Sequence, residues 1–135
     1  MSDAPPQLDP TKVQAFVANA HGDLDVVRSL LDEEPALVNA AWDWGGGDWE
    51  TGLGAAAHMG RRQIALYLLE HGARLDLFAA AMLGYFDIFT AILSDFPEMR
   101  DALGPHGIPL VEHARVGGAD ARAVLELLEA TEVSG

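Results

Sequence analysis

Apolar residues recur along the chain in blocks of one design: a short run of small residues, a glycine turn, then a longer run with apolar positions three and four apart. The best-defined block is Thr51-Gly-Leu-Gly-Ala-Ala-Ala-His-Met-Gly60, continued by Arg61 to Ala73. In its second part Ile64, Leu68 and His71 fall at i, i+4 and i+7, with Ala65, Leu66 and Leu69 widening the apolar face. That is the period of an amphipathic helix, and Gly72 stands where a C-terminal cap belongs. The same design places 18–22 before 24–31, 79–84 before 86–93, and 108–117 before 121–128. The pattern predicts an all-α chain of about four helix–turn–helix units. Each unit buries its apolar face only by stacking on a neighbour. Alanines in the first helices let adjacent units approach closely.

Spacing adds detail. The turn glycines Gly22 and Gly84 are 62 positions apart, and Pro35/Pro97, Leu37/Met99 and Ala40/Ala102 keep that offset. Gly60 and Gly117 are only 57 apart, so five extra residues precede Thr51. They fall within Ala41-Trp-Asp-Trp-Gly-Gly-Gly-Asp-Trp-Glu50. After Gly72 the chain runs almost directly into the next helix, so one long finger stands beside a gap.

The segment Thr51–Ala73 resembles the ankyrin repeat, whose pattern is Thr-Pro-Leu-His-x-Ala-Ala-x-x-Gly followed by an apolar helix and Gly-Ala. Thr51, Leu53, Ala56, Ala57, Gly60, Leu68, Leu69, Gly72 and Ala73 match, whereas Gly52 and Gly54 replace the Pro and His. The fourth unit restores the proline at Pro109 but carries His113 where a small residue is usual. The resemblance implies an ankyrin-repeat solenoid over residues 11–130, with tails at 1–10 and 131–135. It also implies that the two residues before each turn glycine face a concave groove: Ala20/His21, His58/Met59, Met82/Leu83 and Arg115/Val116. His106 at the tip of the fourth finger and Tyr85 just beyond Met82 are expected to join that lining.

Composition narrows the partners. Eight basic against 21 acidic residues leave a formal charge of −13, a surface that repels nucleic-acid phosphates and anionic membranes. The absence of cysteine rules out disulfides and thiolate chemistry and fits a reducing cytosol. No basic segment followed by an apolar stretch opens the chain, and no run approaches membrane-spanning length. A cytoplasmic protein is expected.

The candidate chemistry gathers at the finger. Trp42, Trp44 and Trp49 are all the tryptophans of the chain, interleaved with Asp43, Asp48 and Glu50 around Gly45-Gly46-Gly47. Indoles supply flat apolar area suited to binding. The expected binding residues are therefore Trp42, Asp43, Trp44, Trp49, Glu50, His21, Met59, Met82, Tyr85, His106 and Arg115. An imidazole beside a carboxylate in an aromatic enclosure can transfer protons, and His58 with Asp48 or Asp43 is the candidate catalytic pair. His113 is expected to be a buried, hydrogen-bonded core residue, and His71 to sit at a helix C-terminus. No His-Glu-x-x-His, cysteine cluster or carboxylate loop points to a metal, and no phosphate loop or serine elbow occurs; no cofactor is expected. Two functions follow, the first of them the expected one and the second its alternative. The expected one is a binding module that takes a peptide or protein partner on the groove and finger. The other is a cofactor-independent enzyme holding a hydrophobic small molecule under the finger, for isomerisation, cyclisation, dehydration, or epoxide or lactone opening.

Overall fold

A computed structural model describes residues 4–133. Helix α1 (Pro10–Asn19) pairs with α2 (Leu24–Glu33), and α3 (Gly52–His58) with α4 (Arg62–Glu70). The second half repeats this with α5 (Leu77–Leu83) and α6 (Phe86–Asp95), then α7 (Leu110–Val116) and α8 (Arg122–Val133). Helix α6 begins and ends 62 positions after α2, and the 3-10 turns Pro35–Asn39 and Pro97–Asp101 keep the same offset. Among the described residues, no helix is long and apolar enough to cross a membrane.

Local chemistry starts these helices. The side chains of Asp9, Asp23, Thr51 and Asp76 accept hydrogen bonds from the backbone N–H groups of Thr11, Val26, Gly54 and Ala79, pairing donors that a helix start leaves open. Pro10 occupies the first turn of α1, where a missing N–H costs nothing. The expected tails fall partly on residues 1–3, 134 and 135, which lie outside the described residues; of the rest, Leu8 packs against the core.

The first helices of the units form an inner row in which α1 packs on α3, α3 on α5 and α5 on α7. Ala55, Ala56, Ala57, Ala79, Ala80 and Ala81 are wholly buried in that row, so the alanine runs serve as spacers. Larger side chains fill the space behind them. Phe16, Val27, Leu37, Leu53 and Leu68 make one cluster, and Phe89, Leu110, Val124 and Leu128 another.

The all-α expectation is corrected at the long finger. Strand β1 (Ala41–Asp43) pairs antiparallel with β2 (Trp49–Thr51) in the register Ala41↔Thr51, Trp42↔Glu50 and Asp43↔Trp49. A shorter echo, the single bridge Leu103↔Pro109, occurs in the second half. Helices dominate, but the chain is mixed rather than purely helical. Strand pairing needs a tip that reverses tightly, and Gly45, Gly46 and Gly47 provide it with φ of 136°, 63° and 89°, angles that only glycine adopts without strain. Aromatic residues then favour the extended ladder. The alternation of Trp42, Asp43 and Trp44 is a period-2 signal that the all-α expectation passes over.

Candidate functional site

Of the departures at Thr51–Ala73, Gly52 has a spatial cause, and Gly54 lies against the residues that form the site. A Cβ at Gly52 would lie 2.6 Å from Cε2 of Phe16, so the start of α3 must be glycine. A Cβ at Gly54 would meet Pro105, Thr51 and, at 3.7 Å, Cγ of Glu50. The volume that a larger side chain would take there is used by the β2 carboxylate and the loop at 105.

That carboxylate is the centre of the site. Glu50 is 1% exposed. Its Oε1 accepts a hydrogen bond from Trp44 Nε1 at 2.8 Å and lies 3.2 Å from His21 Nε2. Its Oε2 lies 2.9 Å from His58 Nε2 and 3.3 Å from His106 Nε2. The four groups reach this point from separate places: the α1–α2 turn, strand β2, the end of α3 and the 3-10 turn Pro105–Gly107. Imidazole centroids stand 5.0 Å apart for His21 and His58, and 5.2 Å for His58 and His106, both near edge-to-face.

Further polar contacts fix the His106 and His21 rings. His106 Nδ1 is 2.7 Å from Asp48 Oδ2, and the His106 backbone N–H donates to Asp48 Oδ1 at 2.7 Å. Those bonds hold His106 at φ 61°, a left-handed conformation costing a non-glycine residue about 1–2 kcal/mol. Backbone strain of this kind persists where surrounding contacts over-determine it, often at functional sites. His21 Nδ1 lies 3.0 Å from the carbonyl oxygens of Val17 and of Ala18.

Electrostatics follow the geometry. Burial raises the Glu50 carboxyl, but the polar contacts with His58 and Trp44 and the charges of His21 and His106 outweigh it, leaving the group below the ordinary glutamate value. The His106 backbone N–H is the main reason that Asp48 also sits below its usual value. Partial burial opposes charge on His106, yet its bond to Asp48 and the nearby Glu50 charge raise it above the ordinary histidine value.

Of the expected residues, the structure brings His21, Trp44, Asp48, Glu50, His58 and His106 together. The expected pairing is exchanged: Asp48 holds His106, and His58 faces Glu50. Asp43 is turned to the hairpin tip, where its Oδ1 accepts from Gly45 and Gly47. Trp42 packs against the core. Trp49, 61% exposed, borders a pocket of about 360 Å³ with Leu103, Phe78 and Asp76. Met59 is exposed, but Met82 is buried in the core rather than lining the groove. Tyr85 packs beside that core, and Arg115 pairs with Glu112 on its own helix. His113 is wholly buried, its Nδ1 2.9 Å from the Pro109 carbonyl oxygen, and burial lowers its pKa.

No family model, curated protein or solved structure matches the chain. The ankyrin resemblance therefore rests on its motif residues alone. The donor set was also hidden from any motif: His21, Glu50, His58 and His106 are separated by 29, 8 and 48 residues, with no local spacing to mark them. Together they offer four donor atoms within 4.8 Å of one another, an arrangement able to hold a metal ion.

Proposed function

We propose that the chain is a small-molecule enzyme, built on ankyrin-like helix pairs, whose reaction centre is the Glu50 cluster. The observation carrying this reading is a carboxylate at 1% exposure set among three imidazoles and an indole. Burying a charge costs several kcal/mol unless it is well compensated. A finger needed only to cover helix ends would do so with apolar groups. Converging ionisable groups with shifted pKa values are instead typical of reaction sites.

The reactions that suit this set polarise one oxygen and move one proton: isomerisation, cyclisation, dehydration, or opening of an epoxide or lactone. Substrate reaches the cluster from the side where His21, Trp44 and His106 keep partial exposure. Met59, exposed beside His58, supplies apolar surface for a hydrophobic body. Asp48 positions His106 rather than acting on substrate. The cysteine-free composition agrees with a cytoplasmic enzyme, and the strong negative charge with no nucleic-acid partner.

Trp44 touches Glu50, so its fluorescence serves as the readout. Hydrophobic molecules bearing an epoxide, a lactone or an enolisable carbonyl are expected to change that emission saturably. Glu50→Gln should abolish any turnover seen by mass spectrometry. A panel that leaves both the emission and the compounds unchanged overturns this reading.

A second reading, a peptide- or protein-binding module, is favoured by one observation. Trp49 and Leu103, 61% and 65% exposed, flank the 360 Å³ pocket, and exposed aromatics beside a pocket make good anchors. Capture of a partner that Trp49→Ala abolishes and Glu50→Gln spares would support it.

A further inference from the structure

We infer that the cluster binds one first-row divalent transition-metal ion through Nε2 of His21, His58 and His106 and the carboxylate of Glu50. The inference deepens the reaction-centre reading by naming the group that polarises the substrate oxygen, and it rests on that reading only for the ion's purpose, not for its binding.

The tautomers point the lone pairs inward. His21 Nδ1 stands against two carbonyl oxygens, which only accept, so it carries the proton and leaves Nε2 as a donor of electrons. His106 Nδ1 faces the Asp48 carboxylate, with the same consequence. This carboxylate–histidine arrangement is the usual support behind a metal-bound imidazole. Each of these Nε2 atoms then faces Glu50 at 3.2 and 3.3 Å. A neutral ring's lone pair turned on a carboxylate repels it; a proton on each Nε2 relieves one contact at a time, whereas a single metal ion among the three groups relieves both at once.

The buried pair makes the same point independently. His58 Nε2 and Glu50 Oε2 are 2.9 Å apart, and their side chains are 9% and 0% exposed. Neither atom has an aligned hydrogen bond. Two polar atoms at contact distance but off the hydrogen-bond line are arranged as ligands of a third atom would be. Glu50 Oε1 is already engaged by the Trp44 indole, which leaves Oε2 as the oxygen for the ion.

Size and donor type agree. Metal–nitrogen and metal–oxygen bonds of about 2.0–2.2 Å set tetrahedral ligands about 3.4 Å apart, a spacing that four donors all within 4.8 Å of one another reach by small side-chain shifts. Three imidazoles and one carboxylate suit zinc, iron, cobalt, nickel or manganese. They do not suit magnesium or calcium, which prefer oxygen throughout. The site is closed on the Glu50 and His58 side but partly open at His21 and His106, 25% and 32% exposed. Four protein ligands fill a tetrahedral ion, so a water or substrate oxygen would join from this open side as a fifth ligand.

The test uses the full chain, dialysed against chelator and titrated calorimetrically with zinc and, for its visible spectrum, with cobalt(II). One ion per chain is expected, with cobalt bands of a four- or five-coordinate N/O site and no response to magnesium or calcium. His21→Ala and His106→Ala alter partly exposed positions and keep the fold, and each should weaken binding at least tenfold. Asp48→Asn, which acts only through His106, should weaken it about 10–100-fold. His71→Ala, at the far end of α4, should change nothing. Failure of the folded wild-type chain to take up zinc at micromolar concentration overturns the inference, as does uptake that His21→Ala and His106→Ala leave intact. Zinc uptake without any small-molecule response would retain the ion and discard the reaction-centre reading.

Discussion

The two halves of this protein share one order of helices and differ in what their turns and fingers carry. At the position of His21 the second half has Leu83, and at that of His58 it has Arg115. The first is buried in the core, and the second is paired with Glu112. The first half carries a finger five residues longer, enough for a two-stranded hairpin that swings Glu50 inward and Asp48 across to the other finger. The second half contributes only His106, from a shorter finger closed by a single bridge. The two halves thus keep the same order of elements and differ most in the length of the finger. Chemistry accumulated on one half because only there is the finger long enough to return a carboxylate to the helices.

The sharpest way to break that comparison is at its two turn glycines. Gly84 has φ 78°, and a Cβ there would overlap the Asp120 carbonyl. Gly22 has no positive φ, and its Cβ would meet only the flexible Arg61 guanidinium at 3.2 Å. Gly84→Ala should therefore cost about 3–4 kcal/mol in urea unfolding. Gly22→Ala should stay within about 0.5 kcal/mol. Equal losses would mean that the halves are tied down alike.

A smaller contrast separates the 3-10 turns. Leu37 is wholly buried, whereas its counterpart Met99 is partly exposed. Leu37→Ala should lose about 3 kcal/mol and Met99→Ala about 1 kcal/mol, again by denaturant titration. At the finger tips, Gly46→Ala and Gly107→Ala meet open space but hold φ of 63° and 72°. Each should cost about 1 kcal/mol from strain.

The smallest effect is electrostatic. Asp76 caps α5, and burial raises its pKa above the ordinary aspartate value, against the lowering effect of the Ala79 N–H. Folding thus favours its protonated form. Its contribution is complete below the unfolded pKa near 3.8 and fades as pH rises through the higher folded value. Asp76→Asn keeps a capping oxygen and mimics the protonated group. Stability should stay within about 1 kcal/mol of wild type, while its decline between acid and neutral pH flattens. An unchanged pH profile would show that Asp76 is not the group responsible.

The helix pairs were legible because their causes are local: alanine runs, glycine turns and capping aspartates act within a few positions. The members of the cluster were legible one by one, since five lie in turns or in the tryptophan-rich finger and His58 ends α3 just before its turn. Their pairing was not. Asp48 and His58 looked like partners from ten positions apart, yet His106, 58 residues away from Asp48, took that carboxylate. Strand formation at 41–51 was also missed, because three-residue strands carry too short an alternation to outweigh a glycine-rich tip.

The amino-acid order alone determined the succession of short and long helices, the apolar face of the longer ones, and that the finger before Thr51 is lengthened. Only the tertiary structure decided that four donors from four segments meet at one buried carboxylate. Periodicity and capping depend on neighbours along the chain, whereas convergence depends on how far each finger folds back, which stacking and hairpin register set together.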